Sequence, residues 1–426
     1  MRRLRSVRVA WLAGVCSLLI GSLTVLGCSG GGDDPTGTVT ATATATEAVD
    51  TGTPGVFEDR VLFGQSAAFS GPASALGTNM RLGIEAAFHE ANENGGVHGR
   101  RIELTSLDDA YEPEAAIANT QQLIGEGVFA LIGAVGTPTS RSATPIAFAA
   151  GAPYIAPFTG AGFLRDPEWS NIINLRASYA QETEEMVERL RTDLGIERIG
   201  ILYQDDSYGR SGYDGVQQAL ARRGSEAVAV GRYTRNTSAV KAAVLDLLEN
   251  DPEAVIMIGA YEPMATFIRW AKRLGSDALF LNVSFVGSNA LAQELGSDGV
   301  GVLVTQVVPF PEDDSLAVVA AYQRALAAYA PDVTPGFVSL EGYLAGRLAI
   351  AGLERCGRDL DRECFLNSLR EADAFDIEGF ALQYGADDNQ GSDKVFLTVI
   401  GPGEQYHAIE SLREIEALRE TEWLND

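Results

Sequence analysis

From Arg60 to Val399 short apolar runs alternate with amphipathic stretches, and this alternation constrains the fold more tightly than any other feature of the chain. An apolar strand from Arg60 to Phe69 precedes a helical pattern from Met80 to Ala91, closed by Asn94-Gly95-Gly96. The same reading predicts strands at 102–107, 129–132 and 154–156, with helices at 113–124 and 138–149 between them. After Ile172-Ile173-Asn174-Leu175 the cycle restarts, with helices at 180–193, 212–223, 238–249 and 263–274 and strands at 199–203, 227–230, 255–258, 279–281 and 302–307. Strands alternating with helices of roughly 10–15 residues fold as right-handed βαβ crossovers, so the sheets are parallel and covered on both faces. Two successive α/β units predict two lobes. Beyond Pro311, helical patterns at 314–329, 337–354 and 361–372 and strands at 380–383 and 395–399 must join one lobe or the other. In the tail from Glu404 to Asp426, the spacing of Leu412, Ile415, Leu418 and Trp423 predicts a further helix along the second lobe.

Ligands of open α/β sheets lie outside the carboxyl ends of the strands, where helix N-termini present free N–H groups. The loops after the strands are therefore the informative ones. The first, residues 70–77, is small and polar at Ser70 and ends near Leu76. The loop at 133–140 puts Thr137, Thr139 and Ser140 at a helix start, and the loop at 157–162 combines Phe158 and Thr159 with the small Gly160, Ala161 and Gly162. In the second unit the corresponding loops carry Tyr208, then Tyr261 and Glu262, then Ser284 and Phe285. One unit supplies hydroxyls and amides suited to a carboxylate, and the other supplies aromatic rings. Each loop alone reads equally well as a helix cap or turn. Their joint pattern is what points to a site between the units.

Charge removes other functions. Acids outnumber bases 58 to 32 and the isoelectric point is about 4.5, a field that repels phosphate backbones and anionic headgroups. No nucleic-acid partner is expected. The three histidines, His89, His98 and His407, are too scattered for a metal cluster, and nothing implies a cofactor. The chain has no Gly-x-Ser-x-Gly elbow, no phosphate-binding loop ending in Gly-Lys and no Gly-x-Gly-x-x-Gly after the first strand, so it does not read as an enzyme. Asp108-Asp109 and Asp205-Asp206 sit at strand ends, where acids are usually solvated or capping.

The first 27 residues read as an export signal. Arg2, Arg3, Arg5 and Arg8 precede an acid-free apolar run from Val9 to Leu26. The ending Val25-Leu26-Gly27-Cys28 resembles a bacterial lipobox, which implies cleavage before Cys28 and lipid on its thiol. An uncleaved anchor helix is the alternative. Residues 28–56, rich in Gly, Thr and Ala, read as a flexible tether between the membrane's outer face and the folded body. Export also bears on the remaining cysteines. Cys356 and Cys364 flank a polar turn that a disulfide can close, with two free thiols as the alternative.

Several segments carry a resemblance. Ser70-Gly71-Pro72, Gly95-Gly96-Val97-His98-Gly99-Arg100-Arg101-Ile102, Asp108-Asp109-Ala110-Tyr111-Glu112-Pro113 and Asp206-Ser207-Tyr208-Gly209 look like the type I periplasmic binding proteins of the leucine/isoleucine/valine-binding family. Thr305-Gln306-Val307-Val308-Pro309-Phe310-Pro311 and Ser339-Leu340-Glu341-Gly342-Tyr343 are similar to a lipoprotein branch of it. The resemblance implies two Rossmann-like lobes with parallel sheets joined by three crossover strands, near Arg176, Val307 and Val395. Lobe one would then be 57–175 with 308–393, and lobe two 176–307 with 394–426. It implies a solute's carboxylate on Thr137, further contacts from Phe158, Thr159, Gly160 and Ala161, and aromatic contacts from Tyr208 and Tyr261. Ser284 occupies the place where amino-acid binders carry an acid, Glu262 is the neighbouring carboxylate that could replace it, and Leu76 replaces a covering aromatic. The implied partners are a small carboxylate- or amide-bearing solute and an ABC-importer permease, with a signalling receptor as the alternative recipient. Arg176 and Glu341 read as structural.

Overall fold

The computed structural model describes residues 52–371 and 375–420. The first α/β unit runs β1 (Arg60–Ala67), α1 (Ser74–Glu93), β2 (Arg101–Asp108), α2 (Pro113–Gly125), β3 (Ala130–Ile132), α3 (Thr137–Ala149), β4 (Tyr154–Ile155) and β5 (Ile172–Ile173). The second runs α4 (Tyr179–Leu194), β6 (Ile199–Gln204), α5 (Ser207–Arg222), β7 (Ala229–Tyr233), α6 (Lys241–Leu248), β8 (Ala254–Ile258), α7 (Tyr261–Arg273), β9 (Leu279–Asn282), α8 (Ser288–Leu295) and β10 (Leu303–Gln306). Then follow α9 (Ala317–Tyr329), α10 (Phe337–Cys356), α11 (Arg362–Arg370), the hairpin β11 (Phe375–Ile377) and β12 (Phe380–Leu382), β13 (Phe396–Ile400), β14 (Tyr406–Ile409) and α12 (Glu414–Glu420).

Two main sheets result, ordered β2-β1-β3-β4-β5 and β14-β13-β10-β9-β8-β6-β7. Strands β1 to β10 pair in parallel, and β13 and β14 add an antiparallel edge. The interior strand β8 is buried at every residue, as an apolar strand with helices on both faces must be. Fully burying each such Val, Ile or Met contributes roughly 1.5–3 kcal/mol. The tail departs from the expected single helix: β14 forms first, its Tyr406 and Ile409 turned into the core, and α12 follows. Trp423 lies outside the described residues.

The chain passes between the sheets three times, after β5, after β10 and before β13. The first and third passages pair with each other: Asn174 N donates to Asn389 O at 2.7 Å, and Gly391 N donates to Asn174 O at 2.9 Å. Helix α4 starts at the first passage with a capping box, in which Ser178 and Gln181 satisfy each other's backbone N–H groups. Helix α10 packs on α1 at backbone contact distance, because Gly83 and Gly342 face each other there. A Cβ on Gly83 would lie 1.9 Å from Ser339 O, and one on Gly342 would lie 2.2 Å from Met80 O. Cys356, the last residue of α10, and Cys364 of α11 are joined as a disulfide with a Cα separation of 5.9 Å.

One turn connects the fold to the site. Buried Asp109 accepts hydrogen bonds from Ser66 Oγ (2.8 Å) and Tyr111 N (2.9 Å), holding Ala110 and Tyr111 at φ 49° and 62°. Burial, against those hydrogen bonds and with some help from Asp108 and Glu112, pushes the Asp109 carboxyl up to about 6. Its unfolded value is near 3.9, so the folded state holds the extra proton and stability falls as pH rises from about 4 to 6. The loss amounts to about 3 kcal/mol. Asn keeps an acceptor for Tyr111 N without the charge, so Asp109→Asn is expected to be more stable than wild type at pH 7.5 and no better at pH 4. Urea denaturation at the two pH values checks this; an equal effect at both would remove the buried charge as its cause.

Candidate functional site

The carboxyl ends of both sheets converge on one buried group. From the first lobe, Thr137 at the start of α3 shares a 2.7 Å hydrogen bond with Thr159, whose Oγ1 also accepts from Ala161 N at 3.2 Å. Only glycine fits at two points of this frame: a Cβ on Gly136, at φ 101°, would lie 2.2 Å from the Tyr111 ring, and one on Gly160 would lie 2.7 Å from Tyr179 N. From the second lobe, Asp206 caps α5 and so sets Tyr208, whose ring lies 4.5 Å from that of Phe285. Phe285 in turn lies 5.3 Å from Phe158 and 6.0 Å from Tyr111, so aromatic rings from both lobes stack across the interface. Ala75 N donates to Tyr261 Oη at 3.4 Å, and Leu76 packs where a side chain on Gly287 would have to go.

The structure thus gathers Leu76, Thr137, Phe158, Thr159, Gly160, Ala161, Tyr208, Tyr261 and Ser284 around the interface. Ser70 stands apart, exposed and hydrogen-bonded to Asp108 at the rim of the first lobe. Glu262 does not substitute for an acid at Ser284. It accepts from Ser238 Oγ at 2.8 Å within its own lobe, because the first turn of α7 aims it toward the segment before α6.

The acids near Ser284 come instead from elsewhere. Glu182 on α4 accepts from Ser284 N (2.7 Å), Ser284 Oγ (3.0 Å) and Thr305 Oγ1 (2.6 Å), and pairs with Arg176 at 3.7 Å. Arg176 also donates to Ser284 Oγ, lies 3.6 Å from Glu341 and covers the Phe158 ring at 4.8 Å. Arg176 and Glu341, expected to be structural, therefore sit at the centre of the interface, and both are buried. Burial pulls the Arg176 guanidinium down, but Glu341 and Glu182 outweigh it and hold the value above the ordinary one. Burial also raises both glutamates. For Glu182 the three donors and Arg176 favour the ionised acceptor, and this hydrogen-bond geometry decides its state. Burial and the Glu182 charge push the Glu341 carboxyl up to about 7, against Arg176 and Arg165. Burial also raises the Tyr179 hydroxyl to about 12, opposed by Arg176 and Thr159, so it remains a neutral donor. The signal for Glu182 was a lone acid on the buried face of α4, among Tyr179, Thr183, Met186, Val187 and Leu190.

Two further sets tie the lobes together. At the rim Arg235 of the second lobe donates to Glu112 of the first (2.6 Å), Asn236 donates to Ala110 O (3.1 Å), and Gln204 donates to Tyr111 Oη (3.3 Å). At the connecting segments Arg165 donates to Ala161 O (2.9 Å), Arg176 O (2.9 Å) and Gln390 Oε1 (2.6 Å), joining the 157–161 loop to both passages. A groove of about 940 Å³ opens beside Arg165, lined also by Arg141, Phe163, Gln181, Arg210 and Asp214; the Thr137–Tyr208 group does not line it.

A sequence model described as periplasmic binding protein matches residues 61–405. The chain belongs to the periplasmic binding protein family. This binding protein is 40% identical to a possible leucine/isoleucine/valine-binding protein from Rhodopirellula baltica, with a TM-score of 0.79 over 83% of this chain and 98% of that one. It is 22% identical to Leu/Ile/Val-binding protein homolog 3 of Brucella melitensis over 311 residues, 73% of this chain and 83% of the relative. It is also 26% identical to the leucine-, isoleucine-, valine-, threonine- and alanine-binding protein of Pseudomonas aeruginosa, over 71% of this chain and 79% of that one. The two-lobed α/β architecture is the family's, and the chain is a solute-binding protein of the Leu/Ile/Val-binding type, not an enzyme. Among the described residues no helix is long and apolar enough to cross a membrane.

Proposed function

We propose that the protein captures a small carboxylate- or amide-bearing solute, amino-acid-like or an aromatic acid, between its lobes and delivers it to the permease of an ABC importer. The observation that carries this reading is the buried interlobe group itself. Thr137 and Thr159 share a hydrogen bond at the first lobe's strand ends, Tyr208 packs on Phe285 in the second, Phe285 meets Phe158 across the interface, and a buried arginine pairs with acids of both lobes. Solute contacts made to both lobes would stabilise the closed arrangement and open it when the solute leaves. The Brucella melitensis and Pseudomonas aeruginosa relatives are named for binding leucine, isoleucine and valine, which supports the solute's size and carboxylate.

A thermal-shift screen of amino acids, aromatic acids, amides and dicarboxylates tests this, because a ligand of the folded state must raise the melting temperature. No shift with any of them, in protein shown by native mass spectrometry to be solute-free, would count against capture. Thr137→Ala is expected to weaken binding of the best solute by about tenfold, the worth of one hydrogen bond to a charged group. Unchanged affinity in a titration removes Thr137 from the site.

Export and a lipid on Cys28 complete the reading. Both Cys28 and the signal lie outside the described residues. Acidic charge opposes electrostatic attachment to an anionic membrane, which supports a lipid anchor over attachment by surface charge. Mass spectrometry of the membrane-extracted protein is expected to show a chain that begins at Cys28 and carries lipid mass on that residue; an intact signal or an unmodified Cys28 would contradict lipidation.

A further inference from the structure

At the rim of the interface one basic side chain of the second lobe holds acids of both lobes. Arg235, just after β7, donates through Nη2 to Glu112 Oε2 of the first lobe (2.6 Å) and through Nη1 to Asp206 Oδ2 of its own (3.3 Å). The adjoining Asn236 donates to Glu112 Oε1 (2.8 Å) and to Ala110 O (3.1 Å). Glu112 precedes α2 yet makes no capping bond to that helix, and both of its oxygens accept from the opposite lobe. The backbone is shaped in advance on both sides. Asn236 stands at φ 55°, a region asparagine tolerates, opposite the turn at Ala110 and Tyr111 that Asp109 holds. Groups set before they meet lose little entropy on meeting.

The same arginine reaches the site. Asp206 Oδ1 accepts from Tyr208 N (2.9 Å) and Gly209 N (3.3 Å), while its Oδ2 accepts from Arg235 and from Gln204 Nε2 (2.6 Å). Gln204 in turn donates to Tyr111 Oη, and the Tyr111 ring fills the place that a side chain on Gly136 would need. We infer that Arg235 is a positioning residue that acts as a clasp: through Glu112 it fastens the rim of the lobes, and through Asp206 it ties that fastening to the first turn of α5 and Tyr208. The inference rests on the reading of capture between the lobes and adds which residue sets how long they stay together. When the lobes part, Arg235 keeps Asp206, and Glu112, with a side chain 44% exposed, turns to water. A contact so exposed is weak and reverses readily.

Amide hydrogen exchange of the full chain, without added solute, tests the clasp at Tyr208 and Gly209, with the amides of β8 as the reference. Glu112→Ala alters the first lobe alone, touches neither amide and takes no cap from α2. It is expected to speed exchange at Tyr208 and Gly209 about tenfold, the effect of losing a partly exposed ion pair and the hydrogen bonds beside it. Arg235→Ala, which also frees Asp206, should have the larger effect, and β8 should be unchanged in both. In the unaltered protein, raising NaCl from about 0.05 M to about 1 M should speed the same two amides, because salt screens a pair at the surface, and it should do so less in Glu112→Ala. Unchanged exchange at Tyr208 and Gly209 in Glu112→Ala, or an increase shared equally by β8, would overturn the clasp. So would the absence of any salt effect, an arm that needs no variant. No solute enters the experiment, so a failed clasp leaves the capture reading to its own screen.

Discussion

Arg176→Ala is expected to destabilise the protein by about 3–5 kcal/mol, because it strands two buried carboxylates that now share one cation. Glu182 and Glu341 lie 3.7 and 3.6 Å from the guanidinium, and both are buried. The sign with pH follows from the same geometry. Burial raises both glutamates, so without Arg176 the folded state holds their protons more strongly and the damage should shrink as pH falls from 8 to 5. Combining Arg176→Met with Glu182→Gln and Glu341→Gln removes the charges together and is expected to recover most of the lost stability. Chemical denaturation of the single and triple variants checks this. If the triple variant were no more stable than Arg176→Ala, side-chain packing rather than uncompensated charge would explain the loss.

Gly83→Ala is expected to cost about 3 kcal/mol, at the upper end of overpacking penalties, although alanine favours a helix. The new Cβ would lie 1.9 Å from Ser339 O and 2.5 Å from Tyr343 N, both backbone atoms, so α1 and α10 must move apart. Gly125→Ala is the control: it is helical, with nothing within 4 Å of the added Cβ, and should be neutral or slightly stabilising. The two melting curves separate steric contact from propensity. Equal effects would mean that the close approach of the helices carries no energy.

The alternation of strand and helix was legible because period and length distinguish the two, and most elements lie within two residues of where the pattern puts them. Starts were harder. Helix α5 begins at Ser207, not 212, because its glycines hid the apolar rhythm while Asp206 supplied the cap. Helix α8 and strand β14 escaped notice because each is short, eight and four residues, and offers too few turns or alternations to show a period. At the site, loop chemistry pointed to Thr137, Thr159 and Tyr208, since strand-end loops are where such groups collect. Glu182 was hidden in a helix, where an acid ordinarily faces water, and Glu341, although singled out, read as structural for the same reason. Their burial depends on α4 and α10 both meeting Arg176 across the interface, a tertiary fact that no local pattern contains.

A crystal structure with the most tightly bound solute of the screen tests the central claim most directly. The account predicts one molecule between the lobes, its carboxylate near Thr137 and Thr159 and contacts to Tyr208 or Tyr261 of the second lobe. A solute held by one lobe alone, or only in the groove beside Arg141 and Arg210, would contradict it.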